Sequence, residues 1–135
     1  MRAGPIAAMC LALAGCAGPL PEPPADRAWV ALAAQPSDLL MSDRLDGETT
    51  PDGRLFLVPP GRHRLEARYE YEVPGALWRF GDREFIRCTL VVDYAAFEAG
   101  TRYRLVARSL GYQAQGWLED AARRRLADAQ AVHCY

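Results

Sequence analysis

A chain of 135 residues, half of them hydrophobic and 24% charged, fits one globular domain and excludes a wholly disordered chain. All 16 basic residues are arginine; they alternate with 17 acids to a net charge of −1. No one-signed basic run of the kind a nucleic-acid groove needs is present, so a nucleic-acid partner is not expected.

The N-terminus reads MRAGPIAAMCLALAG over residues 1–15: one arginine, a short apolar segment, then small residues. The segment is shorter than the roughly 20 apolar residues needed to span a bilayer, and it fits the apolar region of a secretory signal peptide. Pro5 and the prolines downstream argue against a buried N-terminal helix. The segment ends in Leu13-Ala14-Gly15-Cys16, an aliphatic residue and two small ones before a cysteine. This resembles the lipobox of bacterial lipoproteins. The resemblance implies that the signal is removed before Cys16, which then carries the lipid anchor. Cys10 is the rival, but Met9 is too large for the cleavage site. Ala17, where aspartate would retain such a protein in the inner membrane, implies the periplasmic face of the outer membrane.

Residues 16–27 then form a linker whose AGPLPEPPADR stretch holds four prolines, which disfavour helix and sheet ladder and favour polyproline II. Fully extended, it would make a stalk of about 30 Å. Residues 28–135 are expected to be the domain.

Of the four cysteines, Cys88 and Cys134 remain in the domain. An even pair in an oxidising compartment predicts a disulfide, two buried free thiols being the alternative.

From Ala28 onward the dominant period is two. Strands are expected near 28–34 (AWVALAA), 54–58 (RLFLV), 63–73 (HRLEARYEYEV), 84–94 (EFIRCTLVVDY), 101–109 (TRYRLVARS) and 112–118 (YQAQGWL). The inward sets are Leu65, Ala67, Tyr69, Tyr71 and Val73; Ile86, Cys88, Leu90, Val92 and Tyr94; and Tyr103, Leu105 and Ala107. Trp29 and Trp117 read as core or core rim. Turn signals separate these runs, among them Asp46-Gly47, Pro59-Pro60-Gly61 and Ala99-Gly100. The alanine-, arginine- and leucine-rich stretch 119–132 favours helix by propensity. It is read as a turn near 120–124 and a last strand at 126–134, with a short helix as the alternative. The fold class is mainly β, a small antiparallel sandwich.

LVPPGRHRLEARYEY and FEAGTRYRLVA resemble the strand–PPG–strand and following elements of PEGA-type and related small periplasmic lipoprotein domains. That resemblance implies a transthyretin-like or prealbumin-like β-sandwich, with no catalytic residues to carry over.

Catalytic constellations are sparse. Ser37, Ser42 and Ser109 lie in no nucleophile elbow, and a Cys88–His133 pair would be inert if the cysteine is bonded. Glu66, Glu70 and Glu72 share an outward strand face rather than a cleft. His63 and His133 form no metal-ligand pattern, so no metal and no cofactor are expected. The loop 74–83, PGALWRFGDR, is the candidate binding element, because Trp78, Arg79 and Phe80 are residue types that anchor interfaces or stack on sugars. Burial as a plug over one end of the sandwich is its alternative. The expected function is non-catalytic: a lipid-anchored adaptor or accessory subunit for an envelope complex. The alternatives are a peptidoglycan- or lipopolysaccharide-binding lipoprotein and, more remotely, a thiol- or carboxylate-dependent hydrolase.

Overall fold

The computed structural model describes residues 18–19, 22–74 and 83–135. Cys16 and the Trp78-Arg79-Phe80 triplet lie outside the described residues. The described residues hold nine strands and no helix: β1 (Ala28–Ala33), β2 (Leu39–Leu45), β3 (Glu48–Thr49), β4 (Leu55–Val58), β5 (Gly61–Pro74), β6 (Arg83–Phe97), β7 (Arg102–Leu110), β8 (Gln113–Asp120) and β9 (Arg125–Val132).

The strands run in the order β3-β2-β5-β6-β9-β8-β7-β1-β4 and fold into a sandwich of two layers that share β9. The first part of β9 pairs with β8 (Ala127↔Leu118, Ala129↔Gly116) and its last residues pair with β6 (Gln130↔Val91, Val132↔Thr89). One layer is therefore β4-β1-β7-β8-β9, the other β3-β2-β5-β6-β9. The expectation of a mainly β sandwich holds, with one departure from a purely antiparallel sheet: β1 and β7 are parallel, Trp29 beside Arg102 and Ala33 beside Val106.

Alternation places the core as anticipated. Leu65, Ala67, Tyr69, Tyr71 and Val73 of β5 are buried, as are Ile86, Cys88, Leu90 and Val92 of β6 and Tyr103, Leu105 and Ala107 of β7. Tyr94 is half-buried and packs edge-on against Phe97. Val30, Phe56, Val58 and Leu118 complete the interior from the first layer. The outward charges of β5 and β6 pair across the ladder, Glu70 with Arg87 at 2.7 Å and Arg64 with Asp93 at 3.5 Å. Exposed pairs of this kind contribute only a few tenths of a kcal/mol each, up to about 1.

The segment 119–132 forms no helix. Asp120 closes a turn, its backbone N–H donating to the Arg124 carbonyl at 3.1 Å and its carboxylate accepting from the Arg124 N–H at 2.9 Å. Arg123 takes φ +64° there, and β9 follows. Helix propensity is worth less than a kcal/mol per residue and yields to the two ladders that β9 completes. The disulfide is present: Cys88 and Cys134 are joined with an S–S distance of 2.09 Å.

Trp29 and Trp117, read as core or core rim, share the register of Arg102 and Val106 on the outer side of the first layer, where Trp29 is buried, at 8% exposure, and Trp117 is half-buried. Two sequence readings need correction. The strand β2 was not among those expected, because its burial does not alternate and its register shifts between Ser42 and Arg44. The linker is not a free extended stalk from its first residues, since Arg54 Nη1 donates to the Gly18 carbonyl at 2.8 Å and ties it to the domain.

Candidate functional site

The topology brings the ends of several strands to one pole. β1, β5, β7 and β9 run toward it, and β2, β6 and β8 start from it. The hairpin of β5 and β6 extends past the end of β2, whose first residue Leu39 pairs with Glu70, while the hairpin ladder continues to Pro74↔Arg83. The candidate loop 74–83 joins the tip of this hairpin.

Five large hydrophobic side chains are exposed among the described residues, and all belong to this pole: Leu39 at 44%, Phe85 at 69%, Leu110 at 53%, Tyr112 at 59% and Tyr135 at 73%. Scattered single exposures would need no explanation, but confinement to one end does. Phe85 is there because it occupies the outward register opposite Glu72 near the hairpin tip. Leu110 and Tyr112 flank Gly111, whose φ of +58° makes the tight turn between β7 and β8. Tyr135 is held against β6 by reciprocal backbone hydrogen bonds with Arg87, at 2.9 and 3.0 Å.

Polar contacts beneath the rim fix these groups in place. Tyr71 donates its hydroxyl to the Tyr112 carbonyl at 2.9 Å, and Tyr112 donates its own to Glu84 at 3.0 Å. Tyr69 donates to the Asp38 carboxylate in the loop before β2. Gln35 accepts from the Ser109 backbone N–H at 2.8 Å, joining that loop to β7. A shallow depression of about 100 Å³ lies between Leu39, Phe85, Glu70 and Tyr71.

The tyrosine hydroxyls at this pole are held in their protonated form. Burial and the Asp38 carboxylate raise the Tyr69 hydroxyl well above its ordinary value of 10. Burial raises Tyr71 as well, and the adjacent Glu84 carboxylate raises Tyr112. These hydroxyls stay protonated near neutrality and serve as donors, not as bases.

Other sequence candidates lie apart from the pole. His63 sits at the opposite end of β5, where Nδ1 meets the Asp46 carboxylate at 2.5 Å and Nε2 lies 3.2 Å from the Pro60 carbonyl. Asp46 and Gly47 both have positive φ, which builds the turn between β2 and β3 that presents this carboxylate. Bonded to Cys134, Cys88 has no thiolate to offer. Among the described residues no group of three or more His, Cys, Asp or Glu side chains is arranged to hold a metal ion.

The sequence had pointed to this end of the molecule through loop 74–83, but not to Leu39, Phe85, Leu110, Tyr112 or Tyr135. Phe85 had a readable signal, since it falls on the outward parity of 84–94. The others depend on which turns share a pole. Comparison with protein-family models, with curated proteins and with solved structures finds no match for this chain.

Proposed function

We propose that the chain is a lipid-anchored protein of the bacterial envelope, tethered through Cys16 at the periplasmic face of the outer membrane. Its sandwich acts without catalysis, as an adaptor that docks a protein partner at the apolar pole. The observation that carries the reading is the confinement of exposed Leu39, Phe85, Leu110, Tyr112 and Tyr135 to one end of the fold. Apolar side chains gathered at one end of an otherwise charged surface mark an interaction site, and aromatic side chains such as Phe85 lose little conformational freedom on binding. In the sequence, Trp78, Arg79 and Phe80 fall between Pro74 and Arg83, the paired ends of the β5–β6 hairpin at this pole, and are residue types that dominate interface energetics.

The test is site-specific photocrosslinking in intact cells, with the photoreactive residue at Phe85, at Tyr112 or, as a control, at Arg68 on the charged outer face of β5. The pole positions are expected to yield a discrete protein adduct that Leu110→Asp abolishes and the control position does not yield. Identical patterns from pole and control would remove the adaptor reading.

A further inference from the structure

Folding gathers on one face what the sequence scatters. Arg102, Arg104 and Arg108 share the outer face of β7, a row about 20 Å long at strand spacing. Trp29 of β1 stands beside Arg102, and Trp117 of β8 beside Val106. The Arg102 guanidinium lies 6.0 Å from the Trp29 ring centre; those of Arg108 and Arg125 lie 5.4 and 4.2 Å from that of Trp117. Glu119, 5% exposed, accepts from Arg104 Nε at 2.8 Å and from Trp117 Nε1 at 2.9 Å, fixing the centre of the face. Arg125 is 3.5 Å from Asp128, and Arg108 donates to Gln115 at 3.1 Å. Among the described residues no carboxylate lies within 4 Å of the Arg102 or Arg108 guanidinium. With guanidinium groups over the indoles, the face offers charge and N–H donors to an anion and little open aromatic platform to a sugar.

The N-terminal linker reaches the edge of the same layer. Arg54, clamped by Asp52 at 2.7 and 2.9 Å, donates to the Gly18 carbonyl at 2.8 Å. Arg54 immediately precedes β4, whose Leu55 and Leu57 pair with Ala31 and Trp29 on this same outer face. Gly18, two residues after Cys16 in the sequence, is thereby held beside the start of β4 at the edge of this layer.

We infer that the outer face of β1, β7, β8 and β9 rests on the phosphate headgroups of an anionic bilayer. Arg102 and Arg108 meet phosphates, and the half-buried Trp117 sits at interfacial depth beside them, while Trp29 is buried behind Arg102. The direction of approach rests on acylation of Cys16. A polybasic patch is the kind of second signal that accompanies a lipid anchor, and tryptophan favours the headgroup region. The apolar pole, at the end of the same strands, then points along the membrane, open to a partner.

The test uses the full chain recovered from bacterial membranes, with Trp78→Phe so that Trp29 and Trp117 alone fluoresce. It is reconstituted into phosphatidylcholine vesicles with or without phosphatidylglycerol, with bromine-labelled acyl chains as quenchers. Quenching is expected to rise with phosphatidylglycerol and to fall with salt. Arg102→Glu with Arg108→Glu abolishes the rise, since each arginine near an anionic surface is worth about fivefold in partition. Arg68→Glu with Arg87→Glu, on the opposite outer face, leaves it unchanged. Quenching indifferent to lipid charge and to Arg102 and Arg108 overturns the inference, and is the result expected if this face takes an acidic protein. The mass of the Cys16 peptide from the same sample reports the anchor separately. Acylated Cys16 without charge-dependent quenching removes this inference alone; charge-dependent quenching with unmodified Cys16 removes the anchor and keeps the face.

Discussion

Cys134 stands directly across the ladder from Cys88, with Cα atoms 4.2 Å apart. The neighbouring Arg87 and Tyr135 exchange both backbone hydrogen bonds, so the cysteines occupy the adjacent close, non-hydrogen-bonded position. Their bond pins the end of the strand that both layers share. It closes a loop of 46 residues, which in the chain-entropy model stabilises the fold by about 4 kcal/mol. Cys134→Ser is expected to lower the urea midpoint by a corresponding amount while far-ultraviolet circular dichroism stays strand-like. An unchanged midpoint under non-reducing conditions would count against the bond.

Gly116 is needed for its missing side chain. A Cβ there would meet the Ala129 Cβ, a Leu90 methyl and the Val106 carbonyl, each at 3.1 Å. These atoms belong to three strands that cannot all retreat. Gly116→Ala is expected to destabilise by about 1–3 kcal/mol through overpacking, whereas Gly47→Asn, with open space around it, is expected to cost only the backbone strain of its φ of +84°, about 1 kcal/mol. Thermal denaturation of the two variants checks the contrast.

Glu119 sets an acid-side prediction. Burial pushes its carboxyl up, but hydrogen bonds from Trp117 and Arg104 and the charges of Arg104 and Arg123 outweigh that and leave it below its ordinary 4.5. Asp46 and Asp120 are lowered by backbone N–H donors first, and Asp52 falls to about 2 through its hydrogen bonds from Arg54. Each folded value lies below the unfolded one, so the unfolded chain takes up protons first as pH falls. Their contribution is full above about pH 5 and is lost as pH drops through 4 and below. Glu119→Gln should make the loss of stability between pH 6 and pH 4 shallower than in the parent chain. Glu119→Ala should cost about 2 kcal/mol at pH 7, the usual penalty for breaking a buried pair being discounted because Arg104 is partly exposed.

Tyr69 gives the alkaline counterpart. Its hydroxyl is raised above 10 by burial and by Asp38, so the stability tied to its protonated form is complete below pH 10 and is lost as pH rises beyond that. Tyr69→Phe removes a donor to a carboxylate and is expected to cost about 1.5–3 kcal/mol. It should also blunt the decline between pH 10 and pH 12, read by denaturant titration.

Much of this architecture is visible in the amino-acid order because half-buried strands alternate. The sets from Leu65 to Val73, Ile86 to Val92 and Tyr103 to Ala107 are buried residue by residue as the period of two requires. Where alternation fails, so does the reading: Leu39–Leu45 is an edge-proximal strand with a bulge, and its pattern mimics a loop. The outward place of Trp117 was legible in principle, because Leu118 and Gly116 claim the inward parity on either side of it. Hydrophobicity alone reads it as core or core rim, and it is half-buried. The parallel pairing of β1 with β7, and the gathering of Arg102, Arg108, Arg125, Trp29 and Trp117 on one face, are products of strand order. No local window of sequence carries that order. Composition counted these arginines as balanced by acids, which is true of the chain and not of this face.

The tether that sets this molecule in the envelope depends on the chemistry of residue 16. The decisive measurement is the intact mass and N-terminal peptide of the protein purified from bacterial membranes. The account predicts a mature chain beginning at Cys16, heavier than the bare polypeptide by a diacylglycerol and an amide-linked acyl group. A chain that still carries residues 1–15, or one cleaved elsewhere with Cys16 unmodified, would contradict it.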